Sequence, residues 1–132
     1  FGFNNIQPVW GDKFNYEMSK CRFGLNLSRG KPIKYYSSNR IASYVANGLP
    51  TLIDEKVHFN DFFTTNEMIF YKDIQDLIEK VNFYKKNERL RAKIGLNGKK
   101  KYFKIFSNKI VGDYILSKTL GIKPSYKFAW DN

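Results

Sequence analysis

The sequence predicts an α/β domain with a Rossmann-like parallel sheet flanked by helices, and three observations support this prediction. Short apolar segments alternate with segments whose apolar residues recur every three or four positions, a pattern typical of strands joined by crossover helices. The length of 132 residues fits one domain, which we expect to span residues 1–132. Hydrophobic residues make up 42% of the chain and aromatic residues 17%, which excludes a disordered protein.

The N-terminal quarter predicts two extended segments separated by a helix. Ile6–Trp10 is short and contains a proline, so we expect an edge strand or an irregular extended segment. A helix is predicted from Gly11 to about Lys20. Arg22–Leu27 is mostly apolar and reads as a buried strand, which the glycine-containing loop Ser28–Lys31 ends.

The next helix and strand are predicted from their boundary residues. Ser37 or Ser38 is a suitable N-cap, because serine hydroxyls accept hydrogen bonds from the first backbone N–H groups of a helix. Gly48 is a typical helix stop. The segment Leu49–Ile53 that follows predicts a short strand with proline near its start.

The second half predicts one more strand and three helices. Val57–Phe63 predicts a short helix or turn, and Met68–Tyr71 a strand. Helices are predicted to begin at Asp73, at Asn87 and at Ser107 or Asn108. The residues expected to face the core are Ile74, Leu77, Ile78, Val81 and Tyr84 in the first helix, Leu90 and Ile94 in the second, and Ile110, Val111, Tyr114 and Ile115 in the third.

The charge and the cysteine content limit the kinds of partner and the cellular compartment that fit this sequence. The net charge of +11 indicates an anionic partner, which could be nucleic acid, a membrane surface or a phosphate-bearing ligand. Much of the excess lies in Lys85–Lys104, which is either a solvated helix face or a patch that contacts an anionic membrane or an acidic acceptor. The single Cys21 excludes an internal disulfide and is expected to be buried. We expect a cytoplasmic location, with peripheral contact at the inner membrane face left open.

Two neighbouring segments are candidates for an anion site. Ser28–Lys31 directly follows a predicted strand, and Tyr36–Arg40 forms the N-terminus of the next helix. Ligands of open parallel sheets bind at the carboxyl ends of strands, and a helix N-terminus offers free N–H groups and partial positive charge to a phosphate. A diphosphate therefore suits this cluster. An ordinary capped helix beside an exposed basic loop is the alternative.

Residues 39–53 resemble the signature segment of the group 1 glycosyltransferases. The shared features are a helix that ends in a small residue, a variable residue and Gly48, and then a strand that begins with a residue followed by Pro50. Residues 21–29, 61–63, 67–71, 73–84 and 87–91 resemble the CgeB-like branch in the same order. The resemblance covers roughly Gly11 to Leu116.

The resemblance implies the C-terminal, donor-binding domain of a two-domain glycosyltransferase of the GT-B type. Such a domain binds a sugar linked to UDP or GDP, while a separate N-terminal domain holds most of the acceptor, an envelope or other glycan. Because the chain begins at Phe1 rather than Met, we expect a fragment of a longer hexosyltransferase that is inactive alone. No cofactor, bound metal or nucleic-acid partner is expected.

The family pattern assigns donor-binding roles but no catalytic residue. Arg40 matches a basic residue that lies three positions before a Glu that binds the donor ribose, and Ser43 occupies the position of that Glu. No acid lies near Tyr35, where many members have a second one. The expected donor-binding residues are Ser28, Arg29, Lys31, Ser37, Ser38, Asn39, Arg40 and Ser43.

Two other function classes stay open at this point. The serine at position 43 is also what a degenerate, non-catalytic transferase-like domain would carry. The charge and the aromatic content would also suit a basic nucleic-acid-binding module. Outside the cluster, His58 is either an acid or base at the cleft or a structural or exposed residue. Three aromatic residues of the tail pack on a nucleobase, on the core or on the missing N-terminal domain, namely Tyr126, Phe128 and Trp130.

Overall fold

A computed structural model describes residues 6–28 and 30–131, and in them three parallel strands lie among five α-helices. The α-helices are α1 (Gly11–Ser19), α2 (Asn39–Ala46), α3 (Ile74–Lys86), α4 (Glu88–Phe106) and α5 (Asn108–Leu120). The strands are β1 (Gly24–Asn26), β2 (Thr51–Asp54) and β3 (Ile69–Tyr71), and two 3₁₀ turns (Glu55–Val57 and Phe59–Asp61) follow β2. The predicted order of elements is confirmed, while Ile6–Trp10 is extended without joining the sheet.

The sheet has the order β1-β2-β3, with β2 in the centre and both pairs parallel. Leu25 is opposite Leu52, and Ile53 is opposite Phe70. Because parallel strands point the same way, the ends of all three strands lie at one edge of the sheet. This is the edge at which open parallel sheets bind ligands.

Adjacent residues of β2, the central strand, belong to two separate hydrophobic cores. Ile53 belongs to a cluster with Ile41 and Val45 of α2, whereas Leu52 belongs to a cluster with Leu77 of α3 and Ile94 of α4. Successive side chains of a strand point to opposite faces, so β2 is buried on both sides over Thr51–Ile53. The wholly apolar sequence of β3 also reflects burial on both sides, whereas Leu25 of the edge strand β1 is exposed.

Two glycines let α4 lie directly against the C-terminal end of α2 and the segment before β3. A Cβ atom on Gly95 would overlap the carbonyl oxygen of Gly48, and one on Gly98 would overlap the carbonyl oxygen of Glu67. Side chains at these positions would push the backbones apart. The glycines, which interrupt the apolar pattern in the sequence, therefore fix where α4 sits.

Several predicted inward-facing residues are exposed. Ile74 and Ile78 of α3, Leu90 of α4 and Ile115 of α5 all have large exposed fractions. Each helix contacts the rest of the protein along a narrower strip than its apolar pattern suggests, so only part of each apolar face is covered. Cys21 is also exposed, which corrects the expectation of burial.

Part of the tail after α5 packs on the core, as one of the three predicted alternatives has it, whereas Tyr126 is exposed. Phe128 is buried, and its ring lies 4.9 Å from that of Tyr114 in an edge-to-face arrangement. The ring of Trp130 stacks on Phe106 at 5.3 Å. These contacts hold the irregular tail against α4 and α5.

Candidate functional site

The end of β1 and the N-terminus of α2 are joined by two side-chain hydrogen bonds. The Arg40 guanidinium donates from Nη2 to the carbonyl oxygen of Leu27 at 2.7 Å. The Ser38 hydroxyl donates to Oδ1 of Asn26 at 2.8 Å. The two segments singled out in the sequence therefore meet at the carboxyl edge of the sheet.

A cleft of 470 Å³ opens at this junction and is lined by Leu27, Ser28, Tyr36 and Arg40. A guanidinium carries several N–H donors, so Arg40 keeps donors for a ligand after bonding Leu27. Within residues 6–28 and 30–131, no acceptor pairs with the backbone N–H groups of Asn39 or Arg40. Arg40 brings a full positive charge to the cleft at the positive end of the α2 dipole, an arrangement that suits an anion.

Asn26 is a further polar residue of the site that sequence reasoning missed. Its side chain is only 1% exposed, and its Nδ2 has no partner among the residues the structure describes; the same holds for the Ser28 hydroxyl. A buried polar atom without a partner costs about 1–3 kcal/mol, so such atoms are rare away from functional sites. The available signal was an asparagine at the end of an otherwise apolar strand.

The remaining predicted residues are placed as follows. Lys31 is exposed in the loop after Gly30, and Ser37 is exposed just before α2. Ser43 lies one turn into α2, where its hydroxyl donates to the carbonyl oxygen of Asn39 at 3.0 Å. Its proton is thus used within the helix, and only its acceptor lone pairs remain for a ligand. Arg29 lies outside the described residues.

A second, aromatic pocket of 320 Å³ was also missed from the sequence, and it is lined in part by Tyr35 and Ser37, the chain neighbours of Tyr36 in the cleft. Its lining consists of Tyr35, Ser37, Phe59, Phe62, Tyr102, Phe106, Val111 and Trp130. These residues come from four separate parts of the chain, so no local motif announces them. Burial raises the pKa of the Tyr102 phenol, which therefore stays neutral near pH 7.

Tyr35 is held at the mouth of the aromatic pocket in an unusual backbone conformation. Its φ of 59° lies in the left-handed region, which is costly for a residue with a bulky side chain. The backbone N–H of Tyr35 donates to Val57 O at 2.8 Å, and its phenol donates to Oδ2 of Asp61 at 2.6 Å. Strained residues held in place by their surroundings are frequent at ligand sites.

His58 and Asp54 have structural partners at the turn that follows β2. Nδ1 of His58 lies 4.0 Å from Oδ2 of Asp61, and Asp54 accepts a hydrogen bond from the Lys56 backbone at 2.9 Å. Burial raises the pKa of the Tyr71 phenol, and the negative charge of Asp54 raises it further. In the part of the chain that the structure describes, no three His, Cys, Asp or Glu side chains are grouped as a metal site requires.

The fold is an α/β domain with a three-stranded parallel sheet, and Ser28, Tyr36 and Arg40 line a cleft at the carboxyl edge of that sheet. Residues 2–116 match the model of the glycosyl transferase-like family, and the chain belongs to that family. Neither the curated proteins nor the solved structures contain a match to this chain. None of the described helices is long and apolar enough to cross a membrane.

Proposed function

We propose that this chain is the donor-binding part of a GT-B glycosyltransferase and holds a nucleoside diphosphate sugar at the carboxyl edge of its sheet. The observation that carries the proposal is the open N-terminus of α2, whose unpaired N–H groups lie beside the Arg40 guanidinium. Membership of the glycosyl transferase-like family supports the same function. The acceptor glycan is held mostly by a second domain, so the chain alone does not complete the transfer.

The proposed placement assigns one part of the donor to each half of the site. The diphosphate lies at the α2 N-terminus, where Arg40, Lys31 and the Ser28 hydroxyl surround it. The donor's ring system extends past Ser37 into the aromatic pocket, whose ring faces suit stacking. Ser38 and Asn39 shape the helix start, and Ser43 offers a lone pair to the ribose in place of the carboxylate of other family members.

The proposed chemistry needs no nucleophile from this chain. When the glycosidic bond to the diphosphate breaks, negative charge develops on the leaving phosphate. In this proposal, Arg40 and the α2 N–H groups stabilise that charge, which is an electrostatic form of catalysis. The group that deprotonates the acceptor belongs to the acceptor-binding domain.

Calorimetric titration of the chain with UDP and with GDP tests the proposal. We expect one of the two nucleotides to bind, and the Arg40→Ala variant to bind it about tenfold to a hundredfold more weakly, because a charge-assisted hydrogen bond is lost. Arg40→Lys should recover part of the affinity. Arg89→Ala, which removes the same charge from the exposed surface of α4, is the matched control and should bind like the unmodified chain.

A degenerate, non-catalytic domain is the second candidate, and the position of Ser43 favours it. The Ser43 hydroxyl is engaged with Asn39 O and cannot act as a carboxylate acceptor for the ribose. This candidate predicts that neither nucleotide binds, and that Ser43→Glu creates measurable binding. Strong binding by the unmodified chain, unaffected by Ser43→Glu, would count against it.

A further inference from the structure

Helix α4 presents a long exposed stripe on the side that faces away from the core. The stripe consists of Arg89, Lys93, Leu96, Lys100, Phe103 and Lys104, and all six side chains are exposed. Their spacings of three and four place them on one side of the helix over about 20 Å, at ~1.5 Å per residue. We call this set the α4 stripe.

Cations outnumber acids around the α4 stripe, where Glu88 lies beside Arg89 and Lys93. Residues 89–112 contain no Asp or Glu, and their cations are Arg89, Arg91, Lys93, Lys99, Lys100, Lys101, Lys104 and Lys109. No ion pair of the described residues involves a cation of the stripe. Glu67 lines a cleft with Lys100 and Lys104, and it accepts hydrogen bonds from Thr64 N and Oγ1 at 2.8 and 3.1 Å.

Two large apolar side chains lie among these cations. Leu96 and Phe103 are each 51% exposed, while the opposite side of α4 supplies Ile94 and the two close-packed glycines to the interior. About half of each of these two side chains is therefore uncovered by the rest of the described structure. Together with the cations around them they make α4 amphipathic on its outer side as well, with apolar surface free to meet a partner.

We propose that the α4 stripe binds the surface of an anionic lipid bilayer, with α4 lying parallel to the membrane plane. Leu96 and Phe103 enter the boundary between headgroups and acyl chains, and the four cations contact lipid phosphates. Lysine and arginine suit this role because their aliphatic stems lie along apolar surface while the charge reaches the headgroups.

Nucleic acid fits the α4 stripe less well than a bilayer does. Single-stranded nucleic acid is bound by grooves in which successive bases stack on aromatic rings. The stripe is the convex side of one helix, and half of its apolar surface is an aliphatic leucine that offers no stacking face. A bilayer needs no groove and takes aliphatic and aromatic side chains alike.

The proposed membrane contact is independent of the donor site. The side of α4 that touches α2 is the glycine side, and it touches the C-terminal end of α2 at Gly48. The cleft lies at the other end of α2, beside Arg40. A chain that is bound to a bilayer through the stripe therefore keeps its cleft open.

Vesicle co-sedimentation tests the proposal on the unmodified chain and on three variants, each of which carries two or three substitutions. The first is Lys93→Gln, Lys100→Gln and Lys104→Gln, which removes stripe charge. The second is Leu96→Ser and Phe103→Ser, which removes the apolar side chains. The control is Lys56→Gln, Lys72→Gln and Lys123→Gln, which removes the same charge from exposed lysines elsewhere. Thermal unfolding confirms that each variant is folded.

We expect the chain to bind vesicles of phosphatidylcholine mixed with phosphatidylglycerol at least about tenfold more tightly than phosphatidylcholine alone. The stripe glutamine variant should lose at least about tenfold in affinity, and the control triple variant much less. The serine variant should lose the part of the binding that persists at high salt, because apolar insertion is not screened.

Three results would overturn the proposal. The control triple variant could lose as much affinity as the stripe variant, which would leave only net charge as the cause. The serine variant could bind vesicles unchanged at every salt concentration. The chain could bind a thymidine oligonucleotide through the stripe lysines and leave anionic vesicles in solution, which would make the stripe a nucleic-acid surface.

Discussion

Helices α2 and α3 both begin near the carboxyl edge of the sheet, but their first turns are completed in opposite ways. At α3, Asp73 accepts a hydrogen bond from the Asp76 backbone N–H at 2.9 Å, and the Asp76 carboxylate accepts one from the Lys72 backbone at 2.9 Å. At α2, the Ser38 hydroxyl turns away to Asn26 and makes no cap hydrogen bond, and the first turn holds no acid.

The difference separates a helix start that supports stability from one that is available to a ligand. At α3, the Asp73 side chain accepts a hydrogen bond from the Asp76 N–H, and the two carboxylates place negative charge at the positive end of the helix dipole. Helix α2 has neither a side-chain cap hydrogen bond nor an acid in its first turn. It has Arg40 in that turn instead, and the positive end of the helix dipole repels the positive charge of Arg40. Such a start costs stability in the free chain and is compensated when an anion binds.

The largest expected effect concerns the opposite end of α2, which anchors the helix. Gly95→Ala should destabilise the chain by about 3 kcal/mol, because the new methyl group overlaps the Gly48 carbonyl and neither backbone can easily move. Gly112→Ala is the matched control, since a Cβ there meets nothing within 4 Å and alanine favours a helix by about 1 kcal/mol. Chemical denaturation of both variants measures the contrast, and equal stabilities would show that the glycine contact does not anchor α2.

The second-largest expected effect concerns Asp73, the N-cap of α3. Asp73→Ala should lower the free energy of unfolding by about 1 kcal/mol, because it removes the hydrogen bond to the Asp76 N–H. Ser107→Ala is the control, because Ser107 is the N-cap of α5 without a side-chain cap bond and should change stability by less than about 0.5 kcal/mol. A loss at Ser107 as large as that at Asp73 would contradict the distinction between capped and uncapped starts.

An acid placed at the start of α2 should raise the stability of the free chain and weaken the binding of the ligand. Asn39→Asp puts a carboxylate beside the helix N-terminus, which should stabilise the free chain by about 0.5 kcal/mol. The same charge repels a diphosphate and should weaken binding of the nucleotide in calorimetry. Asn82→Asp makes the same isosteric change on the exposed surface of α3 and should leave binding unaltered. Nucleotide affinity that Asn39→Asp leaves intact would place the anion elsewhere.

The smallest effect is a pH dependence that belongs to α3. The hydrogen bonds from Lys80 and from the Lys72 backbone hold the pKa of Asp76 below its ordinary value of 3.8. A lowered folded-state pKa means that this stabilisation is fully present above pH 3.8 and is lost as the pH falls below it. The stability advantage of the unmodified chain over Asp76→Asn should therefore shrink on acidification below about pH 4. Thermal unfolding at several pH values checks this, and a constant advantage would contradict it.

Much of the fold was predictable, because local patterns report local structure. The boundaries predicted around α3 and β3 agree with the structure to within about two residues, since Asp73 is a cap that acts within its own turn. The inward faces were less predictable. Ile74 and Leu90 follow the helical period and yet are exposed, because the period gives a direction on the helix and not the extent of the surface that covers it.

The candidate site also has features that were predictable from the sequence and features that were not. The α2 N-terminus and the loop after β1 were recognisable from Ser38, Arg40 and the preceding strand, because each lies within a few residues of the feature that it marks. Asn26 and the aromatic pocket were not recognised. The rings of Tyr35, Phe106 and Trp130 are far apart in the chain, and their approach depends on how α4, α5 and the tail pack.

By itself, the sequence determined the alternation of strands and helices, the family to which the chain belongs and the basic start of α2. Each of these is written in residues that are close together along the chain. Tertiary structure alone decided that Arg40 bonds Leu27 and that the buried Nδ2 of Asn26 has no partner among the described residues. It also decided that the α4 stripe faces outward, with Leu96 and Phe103 about half exposed. These features depend on the close approach of distant segments, which is set by side-chain packing and by the space that Gly95 and Gly98 leave open.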